Sequence, residues 1–298
     1  MGARVSSTVP LMRSQLALIL LTMAACGDAP VTPPPTPPNP LLISFDTNSY
    51  TLKAGEEVKY LCYTTRLAGD VDPLVTQITP LYGQATHHLG VYYTLVDEPD
   101  GVFTCPDLVR DTWIPLYGGG VESGTLKAPD GAAFYMKKNQ QILVQLHLLN
   151  ASPNPVTDKA TIQLLTTRDP NPTPAGMFGM TNTQIALDPS ATGSAAMDCE
   201  VSHDLNVFAA FGHMHQLGTK ITLSKTKGPV LFEESWDFNN QPTVPKLFQV
   251  KKGESLHLDC QYLNTTNQKV EYGESTASEM CSFALYYTPY TRLDGCMQ

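Results

Sequence analysis

Four of the seven histidines fall in two tight groups, and a fifth ends a run of strand formers. His87 and His88 are adjacent, His147 closes Gln145-Leu146-His147, and His213-Met214-His215 is an H-x-H; His203 and His257 stand alone. Imidazole is a good ligand for copper and zinc. Alternate residues of a strand face the same side, so His213 and His215 can grip one ion from a single strand. Adjacent residues face opposite sides. His87 and His88 can therefore share an ion only near a strand end or a bulge, where Gly83-Gln84 and Thr86 could break the pairing. Singly, each group has an ordinary explanation: an H-x-H is often a polar surface pair, and a lone strand histidine is often structural. Jointly they point to metal binding.

The elements that must position these side chains read as β. Strand formers run through residues 91–96, 141–147 and 161–165, and again through 207–211, 220–223, 255–258 and 282–287. Turn residues bound them, as in Asp97-Glu98-Pro99-Asp100-Gly101. Residues 168–176, rich in chain breakers, read as a linker between two β domains. Gly118-Gly119-Gly120 lacks the context of a phosphate loop and reads as a flexible surface turn. The expected fold is all-β, with two tandem antiparallel β-sandwich, jelly-roll-like domains over residues 41–168 and 176–298.

Composition closes off other classes. The formal charge is −9 and no basic block occurs, which excludes a nucleic-acid partner. Hydrophobic residues make up 42% and charged residues 16%, enough apolar content to bury real cores. No apolar run reaches the ~20 residues of a membrane span. Plentiful proline (24) and glycine (21) argue against a coiled coil or helix bundle.

The N-terminus reads as an export signal. Arg4 and Arg13 precede a short apolar core at residues 16–23, then Ala24-Ala25-Cys26. That resembles a bacterial lipoprotein signal, removed as residues 1–25, with lipid attached to Cys26. A proline-rich spacer completes residues 26–40. The expectation is an exported protein, periplasmic or at the cell surface, anchored to a bacterial membrane by lipid only. Six cysteines remain: Cys62, Cys105, Cys199, Cys260, Cys281 and Cys296. In an exported chain they suggest three disulfides. If bridges stay within domains, Cys62 pairs with Cys105, and spacing leaves three pairings for the other four.

The ordered set His87-His88, Gln145-Leu146-His147, His213-Met214-His215-Gln216-Leu217-Gly218 and Glu279-Met280-Cys281 resembles the copper type II, ascorbate-dependent monooxygenases, the family of peptidylglycine α-hydroxylating monooxygenase and dopamine β-monooxygenase. The likeness runs from Tyr60 to Cys296. It implies two coppers per chain, one on His87, His88 and His147 and one on His213, His215 and Met280, the last three being catalytic. A thioether is soft and favours Cu(I). The resemblance also implies Cys62–Cys105, Cys199–Cys296 and Cys260–Cys281, and a tyrosine at Tyr60 near the first copper. His203 and His257 match no ligand position and are expected to be structural or surface residues.

Peptide-amidating members carry an arginine two residues before the H-x-H, and an asparagine and a tyrosine after the Met-Cys pair. Here those places hold Phe211, Ser282 and Ala284. The resemblance therefore implies hydroxylation of a C–H bond in a small organic substrate, with O2 and ascorbate or a similar reductant, and an electron crossing an open cleft between the coppers. It does not imply peptide amidation. A non-catalytic copper-binding or copper-delivery lipoprotein would use the same ligands, and the histidines would be incidental in an adhesion module.

Overall fold

A computed structural model describes residues 41–106, 108–120 and 123–298. The signal segment, Cys26 and the proline-rich spacer lie outside the described residues. All regular structure among the described residues is β.

One five-stranded sheet has the order Gly101–Thr104, Glu57–Arg66, Gln141–Leu149, Thr86–Thr94, Trp113–Gly120. Its central strand, Gln141–Leu149, is buried along nearly its whole length. One core covers one face, with Val91, Val144, Ile162 and Leu164. A smaller cluster around Trp113, Leu143 and the Cys62–Cys105 bridge covers the other. Edge-ward strands alternate instead: in Thr161–Thr167, Ile162, Leu164 and Thr166 are buried and their neighbours half-exposed, the pattern of a sheet with one solvated face.

A four-stranded sheet, Thr192–Glu200, Ser255–Leu263, Gly218–Lys225, Val230–Ser235, frames the second core around Phe178, Ile221, Leu258 and Leu285. A ten-stranded sheet serves both cores. The strand Thr173–Thr181 carries it across, pairing in parallel with Ala132–Tyr135 through residues 173–175 and antiparallel with Ser282–Thr288 through residues 176–181. Phe208, Ala209 and Tyr286, from the second half, pack into the first core. The described residues all lie in one unit.

Two local expectations change. The strand Thr173–Thr181 begins inside the expected linker, because Pro174 keeps a usable carbonyl, which accepts from the Tyr290 amide at 2.7 Å. Gly118-Gly119-Gly120 is the end of the strand Trp113–Gly120 rather than a surface turn, paired with Gly90, Leu89 and His88. Glycine in a strand marks a close approach of other atoms. A Cβ on Gly120 would lie 2.6 Å from Gln241 Cβ and 3.0 Å from His88 Cδ2.

The disulfides are Cys62–Cys105, Cys199–Cys296 and Cys260–Cys281. They are the pairings the resemblance implied.

Candidate metal centre

The adjacent histidines are brought together by a bulge. His147 pairs with His88, but Leu148 pairs with Thr86, so His87 is the extra, unpaired residue. Against Glu57–Arg66, the register also shifts between Leu146 and Leu148, on the other side of His147. Bulges re-aim side chains in this way. The His87 and His88 rings stack at 4.3 Å with 14° between planes, and His147 lies 5.5 Å from His87 and 5.3 Å from His88.

His213 is the last residue of the strand Leu205–His213, Met214 is buried in the second core, and His215 follows. Their rings are 5.1 Å apart. Glu279, fully buried, accepts from the amides of Leu217 (2.6 Å), His215 (3.0 Å) and Met280 (3.3 Å). It thus fixes the H-x-H end and Met280 to each other. The Tyr262 hydroxyl donates to the Met280 carbonyl at 2.8 Å, and Cys281 is bonded to Cys260.

The two groups touch. The His88 and His213 ring centres are 4.6 Å apart, so the expected open cleft is closed here. A cavity of about 550 Å³ is walled by His88, His147, His213, His215 and Met280, with Tyr60, Phe211, Phe283 and Met177 among its other walls. Ser282 and Ala284 line it too. His87 faces a different, more polar cavity, with Thr86 and Asn239.

Hydrogen-bond partners assign the ring nitrogens. Gln241 Nε2 donates to the Phe238 carbonyl at 2.8 Å, which orients its Oε1 as an acceptor. That oxygen lies 2.9 Å from His88 Nε2 and 2.9 Å from His213 Nδ1. Glu57 Oε1 is 2.9 Å from His147 Nε2, and the Ser278 carbonyl is 2.9 Å from His215 Nδ1. Each of these nitrogens therefore carries the proton. Lone pairs remain at Nδ1 of His88 and His147, and at Nε2 of His213 and His215.

Burial keeps these rings neutral. It pushes His87 and His215 down to about 4. Burial and the neighbouring imidazoles hold His88 and His213 well below the ordinary value. Burial also lowers His147, outweighing Glu57. Burial pushes Glu279 up to about 7 against its three amide donors. Burial, then Glu274, raises the Tyr60 hydroxyl.

The donor set fits a copper ion. His88 Nδ1 and His147 Nδ1 face each other at 3.1 Å. Two imidazole lone pairs at that distance repel unless a cation or a proton lies between them, and burial disfavours the proton. Both ring nitrogens of His87 are buried with no hydrogen-bond partner, an arrangement that costs stability unless something binds there. Among the described residues no three His, Cys, Asp or Glu side chains already close into a cage.

His203 and His257 lie elsewhere, His203 2.9 Å from the Tyr287 hydroxyl and His257 3.1 Å from Asp198. The sequence reading missed Glu57, Gln241, Ser278 and the Gly118–Gly120 run. Of these, only the glycines carried a signal: three in succession at the end of a strand-forming run imply close approach. The others are single polar residues whose partners are distant in sequence.

The family match agrees with the all-β fold. Residues 175–298, which carry His213, His215 and Met280, match the family model for the copper type II ascorbate-dependent monooxygenase, C-terminal domain. No curated protein matches the chain. Among solved structures, the STIV MCP is 9% identical with a TM-score of 0.33, covering 83% of this chain and 96% of its own. The major capsid protein P2 from bacteriophage PM2 is 9% identical with a TM-score of 0.33, covering 85% and 99%.

Proposed function

We propose that this chain is a copper-dependent monooxygenase that hydroxylates a C–H bond of a small organic substrate, using O2 and ascorbate or a similar reductant, with two coppers per chain. The observation that carries this reading is the apolar cavity bounded at once by both histidine groups and Met280. Copper, when bound, supplies one-electron chemistry and the activation of O2.

The chain's own residues do the rest. His87, His88 and His147 would hold one ion, and His213, His215 and Met280 the other. Glu57, Gln241 and Ser278 keep protons on the outward nitrogens, so the inward ones stay available. Phe211, Phe283, Ala284 and Met177 give the substrate an apolar seat and exclude water. Phe211 stands where amidating relatives carry arginine. Arg110, also on the cavity wall, is already held by Glu98 at 2.9 Å and lies over the Trp113 ring. Neither feature suits a peptide carboxylate, so the substrate is an uncharged or aromatic small molecule rather than a peptide. Export and lipid anchoring through Cys26 belong to the same reading, and the three disulfides support an oxidising compartment.

The test is copper titration followed by oxygen uptake. Wild-type protein should take two coppers, and His87→Ala and His213→Ala one each. With copper and ascorbate, oxygen uptake should depend on an added organic substrate from an aromatic and aliphatic panel. Copper binding without any substrate-dependent uptake would leave a copper-binding lipoprotein.

A further inference from the structure

We infer that Gln241 is the positioning residue that joins the two histidine groups and gives an electron a hydrogen-bonded path between them. Its single carboxamide oxygen accepts from His88 Nε2 and from His213 Nδ1, each at 2.9 Å. The two rings belong to different strands, Thr86–Thr94 and Leu205–His213, and to different groups. Gln241 is 1% exposed, so water does not compete for that oxygen. Neither His88 nor His213 uses this nitrogen for a metal, because both are protonated there. The bridge and the ligand positions therefore occupy opposite sides of each ring.

The glutamine is itself held by the first half of the chain. Its carbonyl accepts from Gly120 N at 3.2 Å and from Ser123 Oγ at 2.8 Å. Two residues on, Thr243 N donates to Ser123 Oγ at 3.0 Å, and Thr243 Oγ1 donates to the Gly118 carbonyl at 2.9 Å. Gly120 must be glycine for this approach, since a Cβ would lie 2.6 Å from Gln241 Cβ. A segment from the second half is thus seated on the bare backbone of the first, with its one carboxamide aimed at both rings.

The electron step rests on the monooxygenase reading; the bridge does not. With copper held by both groups, one electron would pass from the first site to the second along Nε2–H, Oε1 and H–Nδ1. The ion held by the first group would be oxidised by one electron and the ion held by the second reduced by one. Both protons stay on their own nitrogens, and no bond between heavy atoms forms or breaks. The lost electron is replaced by ascorbate or a similar reductant. The ring centres lie only 4.6 Å apart, so the path between them is short.

Two variants and two measurements test this. In copper-free protein, nitrogen-15 NMR of the histidine side chains should find the wild-type proton on Nε2 of His88 and on Nδ1 of His213. Gln241→Glu keeps the acceptor and should keep both tautomers. Gln241→Leu keeps the packing volume and should lose both preferences. The opposite tautomers in wild type, or unchanged tautomers in Gln241→Leu, would overturn the bridge. With two Cu(II) bound, the EPR spectrum of wild type and Gln241→Glu should show dipolar broadening between the ions, and Gln241→Leu should lose it. Equal broadening in all three would overturn the positioning role. If wild-type protein binds no copper, the monooxygenase reading falls while the NMR arm still decides the bridge.

Discussion

His88 and His147 face each other with their Nδ1 atoms 3.1 Å apart, and each gives its other nitrogen to an acceptor, Gln241 or Glu57. The outer acceptors thus decide what the inner nitrogens can do. Glu57 does more than orient one ring. Its carboxylate also receives the Thr276 amide at 3.1 Å and the Thr276 hydroxyl at 3.2 Å, while Ser278, two residues on, holds His215. One carboxylate therefore ties the first histidine group to the loop that leads into Met280.

Glu57→Ala should free the His147 ring to exchange tautomers. Loss of such an orienting partner lowers metal affinity roughly 10–100-fold. Competition with a chromophoric chelator should show that loss at the site of His87, His88 and His147, with a smaller effect at the other. Unchanged affinity would reduce Glu57 to an incidental neighbour.

The pH dependence follows from the direction of each shift. An unfolded imidazole takes its proton near 6.5, but burial holds His87 and His215 to about 4 and lowers His88, His147 and His213 as well. Between those values the unfolded chain binds protons that the folded chain refuses, so stability falls as pH falls. Glu279 has the opposite sign. Its folded value of about 7 lies above the ordinary 4.5, so its contribution is complete below 4.5 and is lost as pH rises through 7. One carboxyl opposes five imidazoles, and the acid side dominates. The Tm of copper-free protein should drop steadily from about pH 6.5 to 4, and bound copper should leave in the same window, because protons compete for the same nitrogens. A Tm flat across that window would contradict the buried, neutral rings.

How much of this was legible in the sequence depends on distance along the chain. The β class followed from short strand-forming runs and turn residues, both local signals. The H-x-H at His213 and His215 was legible because period two is a strand property. For His87 and His88 the need for a strand end or bulge was legible, and so was its place beside Thr86; the partner register was not, since the shift at Leu148 is set by pairing between strands about 60 residues apart. Met280 was found only through the family resemblance. Gln241 was invisible because its partners are His88, 153 residues away, and His213, 28 away. The closed contact between the groups was also out of reach, since it depends on how the segment around Gln241 seats on Gly118–Gly120.

Gly120→Ala tests that seat. The new Cβ would lie 2.6 Å from Gln241 Cβ and 3.0 Å from His88 Cδ2, and neither neighbour is a free chain end. Forced overpacking of this kind costs about 1–3 kcal/mol. Denaturant unfolding should show that loss, together with weaker copper binding at the His88 group. Wild-type stability and affinity in the variant would mean that the strand shifts freely, and that the close approach positions nothing.

Met280 separates turnover from folding. It is 2% exposed, walls the cavity beside His213 and His215, and is fixed through its backbone by Tyr262, Glu279 and the neighbouring Cys260–Cys281 bridge. None of those restraints uses its sulfur, so the side chain can change while the backbone stays. Met280→Ile conserves volume and apolarity and should cost less than about 1.5 kcal/mol of stability. The two histidines remain, so copper should stay bound fully at the first group and weakly at the second. What is lost is the soft donor that favours Cu(I). Hydroxylation of any substrate turned over by the wild type should therefore collapse, while the unfolding midpoint scarcely moves. A Met280→Ile enzyme working at near wild-type rate would make the sulfur mere packing, and would remove the residue on which the monooxygenase reading most depends.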